Sequence, residues 1–346
     1  MSDQFGRRLV MIWGMGLVTV SALVFAVAPN VAFLFVGRVL QGAGSGLAMS
    51  AATASLVENN TAANPRFASS LATVASATGL TLALVLSGVF AQFVPMPLVW
   101  SYIILLALAL AAAVALALAP DDRPADSRRW RPQVLRLLPE LRLTFSVATL
   151  SVALAYCVGA IFLSLGAHML DQFVQTPGAA MVGMLLACSS GAIGVTALLL
   201  SRVPAHISVR LGAILTILSL ALMTAAVVFG SIVLFLVWCI VGGVAYSFAF
   251  SGGLGIINHT APVEHRGATL SLLYLVAYAL QAATAIGIGA LATATTLGIA
   301  VGVAAATLSV LCLALLILTI IDARTRRSPA QQLTTTAVSS KTFGAP

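Results

Sequence analysis

Charge is what this chain most lacks. Only 8% of its 346 residues are Asp, Glu, Lys or Arg, where a soluble domain carries about 25%. Hydrophobic residues make up 60% of the chain and the mean hydropathy is +1.08, too far from the soluble range to describe a large core in water. A water-soluble fold is excluded, and the chain reads as an all-α polytopic membrane protein. Signatures of chemistry are missing too. The four cysteines, Cys157, Cys188, Cys239 and Cys312, lie inside long apolar runs and none is spaced as CxxC, which leaves no zinc or redox motif. No HExxH, Ser–His pair or pair of acids stands within an apolar run, so neither an enzyme nor a metal or other cofactor is expected. The glycine-rich "QGAGSG" around Gly44 lacks the Gly-Lys-Ser/Thr of a phosphate loop and follows no strand, which excludes a nucleotide fold. No cleavable leader is visible, because the first apolar run is span-length and no small-residue cleavage site follows it.

What is present is a series of ten apolar runs, each near the roughly 20 residues that a bilayer core demands of a helix. They cover residues 9–28, 31–57, 68–91, 98–119, 144–166, 178–200, 207–229, 231–256, 268–291 and 297–321. Helix is the only sensible state for them, since a backbone in lipid must bond within its own segment. The net charge of +8 suggests nucleic acid until its placement is followed. Of the 17 Lys and Arg residues, all but Arg38 fall in alternate loops, at the edge of a run beside such a loop (Arg210), or at the two ends, on one side of a ten-span weave. The positive-inside rule makes that side cytoplasmic. Both termini are then inside, the lipid bilayer is the partner, and nucleic acid is not.

The chain repeats itself. An offset of 200 residues places Gly42 on Gly242 and Arg66 on Arg266, with a helix, a basic loop and a following helix agreeing at both places. Duplicated halves are a mark of secondary transporters. The same offset puts the opening stretch "DQFGRR" on the loop around Pro204, which in the second half is reached only after two spans. Two spans are therefore expected upstream of Asp3, so that residues 1–119 form an incomplete first half of four helices. Residues 120–143 read as a basic linker, 144–321 as a six-helix half, and 322–346, with "ARTRRS" beside the membrane, as a disordered tail.

Two cationic sites and two residue patterns carry functional expectations. Asp3, Arg7 and Arg8 stand at a helix end, where a carboxylate can cap helix N-termini and arginines can bond the last carbonyls of a neighbouring helix; a solvated turn that only sets topology is the plainer reading. Arg38 lies near 10 Å deep at a rise of about 1.5 Å per residue. A cation there costs at least about 2.5–3.5 kcal/mol on insertion scales, and it shares a helix face with Gln41 and Ser45; the plainer reading is that it snorkels to the outer interface. Gly42, Gly44, Gly46, Gly242 and Gly243 suit close helix packing. Tyr274, Tyr278 and Gln281 follow i, i+4, i+7 spacing, as Thr149 and Tyr156 follow i, i+7; with Tyr246 they either line a solute cavity or serve helix packing. His168 and Asp171, near the outer end of the fifth run, either take part in proton exchange or, the plainer reading, belong to an outer polar loop. No Asp or Glu lies deep in a run.

Asp3, Gly6, Arg7 and Arg8 match the second part of the GxxxDxxGRR pattern of the major facilitator superfamily. Arg38, Gln41, Gly42 and Gly44 match its fourth-helix pattern RxxQGxGxA, with Gly46 in place of Ala, and "EHRG" from Glu264 to Gly267 resembles the loop before its eleventh helix. The chain thus resembles a transporter of that superfamily, nearest to its bacterial drug–proton antiporters. Gly79 and Gly88 have the spacing of their fifth-helix motif, whereas Gln92 and Phe93 stand where it has Gly and Pro. The resemblance implies a fold with ten of twelve transmembrane helices, four and six in two pseudo-repeated halves, in a monomer at the cell membrane. It implies a cytoplasmic gate at Asp3, Gly6, Arg7 and Arg8, and proton coupling at Arg38 and Gln41. The expected function is proton-coupled efflux of an amphipathic, drug-like small molecule by alternating access. Proton-coupled uptake of a metabolite and a non-transporting truncated form are the alternatives.

Overall fold

The computed structural model describes residues 6–59, 67–119, 142–174, 178–200, 203–260 and 263–342. Among them are ten helices long and apolar enough to cross a membrane: α1 (Arg7–Ala26), α2 (Val31–Glu58), α3 (Phe67–Phe93), α4 (Pro97–Leu118), α5 (Arg142–Phe173), α6 (Ala179–Leu199), α7 (Ala205–Phe229), α8 (Ile232–Thr260), α9 (Val263–Ala294) and α10 (Leu297–Thr342). Asp3 and most of the basic linker lie outside the described residues.

The breaks between helices have local causes. After Pro29, the Asn30 side chain accepts the backbone N–H groups of Ala32 and Phe33 at 3.1 and 3.3 Å, satisfying donors that the first turn of α2 leaves orphaned. Pro97 opens α4 behind Met96, whose φ of 53° turns the chain sharply. Gly230 closes α7 at φ 58°, a left-handed conformation that costs glycine little. Two ends differ from the sequence reading. Helix α5 runs on to Phe173, so His168 and Asp171 stand in its last turns and not in a loop; no Pro or further Gly follows Gly166 before Phe173. The backbone helix of α10 continues past its apolar part, which ends at Ala323, to Thr342, over residues expected to be unstructured.

The chain divides into two compact units, Met1–Gln133 with Pro177–Ala187, and Val134–Thr176 with Cys188–Pro346. In the first unit α1 packs most extensively on α2 and next on α4. In the second, α7 packs most extensively on α8 and next on α10, so the internal repeat is a repeat of packing. Helix α5 packs on α9 and α8 and is buried along most of its length. The start of α6 belongs to the first unit, where the Ala180 N–H donates to the Gln92 side chain at 2.9 Å; Gln92 is thus a helix cap at the position where the antiporter motif has glycine.

Glycine allows the close helix crossings. A Cβ added at Gly14 on α1 would lie 2.7 Å from Ala48 N and Gly44 O of α2, and one at Gly44 would lie 2.6 Å from Gly14 O. Close crossings recur between α7 and α8, at Gly212 against Ala249 and Gly252 against Val209. At Gly243 the Ser189 carbonyl of α6 occupies the Cβ position, and at Gly242 the nearest atom, Ser219 Oγ, would be 3.0 Å away. Gly42 and Gly46 do not share this role: a Cβ at either meets no atom within 4 Å. A step of two residues along a helix turns a side chain away from its neighbour's contact, so only Gly44 faces α1. Gly44→Ala is therefore expected to destabilise the protein by about 1–3 kcal/mol through backbone displacement. Gly42→Ala is expected to be neutral or stabilising by roughly 0.5–1 kcal/mol through helix propensity. Thermal unfolding of the two variants in detergent checks the contrast.

Candidate functional site

The residues singled out in the sequence fall into three places. At the start of the first unit, Gly6 has φ 85° and turns the chain into α1. Two residues on, Arg8 Nε donates to the Leu116 carbonyl at 2.8 Å, and a second guanidinium nitrogen donates to the Ala117 carbonyl. Helix α4 ends at Leu118, so both acceptors lie in its last turn, where carbonyls lack the usual donor four residues on; the Leu116 carbonyl also accepts the Ala119 N–H at 3.3 Å. The cation also meets the negative end of the α4 dipole. Chemically, this arrangement ties the beginning of one helix to the end of another through a group that stays charged.

Arg38 occupies the second turn of α2. Its guanidinium donates to Gln41 Oε1 at 2.8 Å and stands 5.2 Å from the centre of the Phe25 ring, which stacks on Tyr102 of α4 at 4.9 Å. Gly37 leaves room for this, since a Cβ there would lie 2.8 Å from the Phe25 ring. Helical side chains lean toward the N-terminus, which brings a guanidinium from the second turn of α2 back to the last turn of α1. Ser45, on the same face, turns its hydroxyl to its own helix, donating to the Gln41 carbonyl at 2.5 Å. The partners of Arg38 among the described residues are thus an amide and an aromatic face.

The third place lies in the second unit, among α5, α8 and α9. Tyr156 stacks near-parallel to Tyr246 and to Phe250, with centroids 6.2 and 5.9 Å away and interplanar angles of 16° and 14°. Tyr246 and Phe250 are themselves 5.8 Å apart at 25°. Tyr278 leans on Tyr156 at 5.0 Å and 53°, and Tyr274 follows at 6.4 Å from Tyr278. Tyr156 is buried, Tyr246, Phe250 and Tyr274 are half-buried, and Tyr278 is exposed. The cluster is braced on both sides: Ser151 donates to the Ala249 carbonyl at 2.7 Å, linking α5 to α8, and Thr284 lies 3.2 Å from Cys157 Sγ, linking α9 to α5. Thr149 Oγ1 is buried without a hydrogen-bond partner, and Gln281 is half-buried. No group of His, Cys, Asp and Glu suited to a metal ion occurs among the described residues.

A family model of the Major Facilitator Superfamily matches residues 1–176. The chain belongs to the Major Facilitator Superfamily. Its fold agrees with this membership. Two solved structures of a mutant of the peptide transporter POT, one of them in complex with sulfate, superpose with TM-scores of 0.71 and 0.69 at 16% identity; each covers 92% of this chain, and the chain covers 80% and 81% of theirs. The "Lincomycin resistance protein" of Streptomyces lincolnensis is 36% identical over 105 residues, 30% of this chain. The chain spans about a fifth of that curated relative, the matched stretch being 21% of its length.

For this Major Facilitator Superfamily chain, sequence reasoning missed three partners and one acid. Phe250 joins the tyrosines because it lies one turn beyond Tyr246 on α8, a spacing the sequence displays. Phe25 and Tyr102 carry no such sign, since only packing brings α1 and α4 around Arg38. Asp322, set at the edge of the tail by its charge, is buried at 3% exposure and accepts a 2.8 Å hydrogen bond from Thr144, itself buried. It closes the last apolar turns of α10 against the start of α5.

Proposed function

We propose that this protein is a secondary active transporter that exports an amphipathic small molecule from the cell by alternating access, in exchange for protons. The observation that carries the reading is the uncharged tyrosine cluster, within a chain of the Major Facilitator Superfamily: rings from three helices, graded from buried to exposed, offer a solute an apolar surface with hydroxyl edges. The resistance protein among its relatives supports the direction. In this reading Thr149, Tyr156, Tyr246, Tyr274, Tyr278 and Gln281 face the solute, Arg8 with Asp3, Gly6 and Arg7 acts as the cytoplasmic gate, and Arg38 with Gln41 responds to the proton. The chain works as a monomer in the cell membrane with both ends in the cytoplasm, where its arginines collect. Uptake of a metabolite is the second reading, favoured by Gln92 and Phe93 standing where the antiporter motif has Gly and Pro.

The decisive measurement uses inverted membrane vesicles from cells producing the protein. They are expected to accumulate an amphipathic dye when their interior is acidified, and to stop when the proton gradient is collapsed. Accumulation by right-side-out vesicles with an acidic exterior would replace export by uptake. Fluxes equal to those of vesicles lacking the protein, in both orientations, would reject transport.

A further inference from the structure

The tyrosine cluster has a shape and a charge state that restrict what it can hold. Tyr156, Tyr246 and Phe250 are mutually 5.8–6.2 Å apart with planes within 25° of parallel. An aromatic cage for a cation needs ring faces turned inward from steeply different directions, so that each face sees the charge. Near-parallel rings instead stack on one another with an offset and leave the flat face of an end ring for a further partner, here beside the tilted ring of Tyr278. Such a face favours offset stacking of another flat ring system.

Charge points the same way. Among the described residues the acids stand at the ends of helices or of their apolar parts: Glu58 closes α2, Asp171 lies in the last turns of α5, Glu264 is the second residue of α9, and Asp322 is near the end of the apolar part of α10. The charges set further into described spans are those of Arg38 in α2 and Arg210 in the second turn of α7, and both are positive. A cation brought to the tyrosines would lose its hydration with ring faces and neutral hydroxyl oxygens, and no carboxylate among the described residues of the cluster, as compensation, and that exchange is unfavourable in a membrane interior. An uncharged acceptor has the better match, because tyrosine and threonine hydroxyls donate. Thr149, two turns from Tyr156 on the same stripe of α5, holds such a hydroxyl buried and without a partner.

We infer that the cluster selects a planar, uncharged aromatic solute bearing hydrogen-bond acceptors, and discriminates against permanent organic cations of the same shape. The inference rests on the reading of this cluster as the solute site.

Acridine and 10-methylacridinium form a matched pair of probes. At mildly alkaline pH the first is neutral with an acceptor nitrogen, and the second is a cation with none. Equilibrium dialysis against the purified full chain in nanodiscs is expected to give saturable acridine binding at least about tenfold tighter than that of the cation. Tyr246→Leu, at a half-buried position, should abolish the preference, while Tyr246→Phe, which keeps the ring, should hold acridine affinity within about threefold. Equal or tighter binding of the cation, lost in Tyr246→Leu, would overturn the selectivity and leave the cluster as the solute site. Binding of both probes indifferent to Tyr246, with both variants folded, would overturn the inference and the assignment of the site together.

Discussion

Arg8→Ala is expected to lower the transport rate at least about tenfold while leaving the protein in the membrane. The guanidinium makes two hydrogen bonds to the final carbonyls of α4, and bonds from a charged donor contribute about 1.5–3 kcal/mol each. Losing both releases the start of α1 from the end of α4, takes the guanidinium donor from the Ala117 carbonyl and leaves the Leu116 carbonyl with the Ala119 N–H alone. A bias of about 1.4 kcal/mol between two conformations already changes their ratio tenfold, so a gate built on these bonds cannot absorb the loss. Arg8→Lys is expected to recover part of the rate, because an ammonium keeps the charge at the helix end but cannot fork to two carbonyls in a fixed plane. Initial efflux rates normalised to membrane content test this. Wild-type rates for Arg8→Ala would reduce the opening motif to a turn that sets orientation.

Tyr156→Ala carries the largest expected cost to stability. Its ring is the one that touches Tyr246, Phe250 and Tyr278 together, and it is buried at 8% exposure. Truncating a buried aromatic residue costs about 3–5 kcal/mol, part of it from the cavity left behind. The variant should melt at a lower temperature and lose saturable transport. Tyr156→Phe preserves every ring contact and should stay within about 1 kcal/mol of the parent while retaining most of the transport. Thermal unfolding in detergent beside transport in vesicles separates the two outcomes. A Tyr156→Ala protein that melts normally but does not transport would make the ring a pure solute contact. One that transports normally would remove the cluster from the pathway.

How far the sequence reached differs from residue to residue. The ten spans were legible because each is a long apolar run, and the turns between them because Pro29, Pro97 and Gly230 have local geometry that no neighbour needs to supply. The end of α5 was not legible, because hydropathy fades at Gly166 while the backbone needs only the absence of a breaker to continue. Gly44 was read together with Gly42 and Gly46, since composition does not tell which glycine faces a partner helix; register does. Tyr274 with Tyr278 and Thr149 with Tyr156 were seen as two stripes. Their meeting at one cluster, with Phe250 in it and Gln281 outside its ring contacts, depends on how α5 packs between α8 and α9. Arg8 could be expected to seek helix carbonyls, but not those of α4, which lie more than a hundred residues away along the chain.

By itself, then, the order of amino acids determined where the chain is helical, which loops collect positive charge, and that one half echoes the other. These are properties of runs, spacings and counts, and each is enforced locally by backbone hydrogen bonding in lipid or by the membrane boundary. Tertiary structure alone decided that Arg38 rests on Phe25, that Asp322 is buried against Thr144, and that three near-parallel rings stack together. Those contacts join helices distant in the chain, and helix pairing in a membrane follows from close steric fit more than from hydrophobicity, which every span already has.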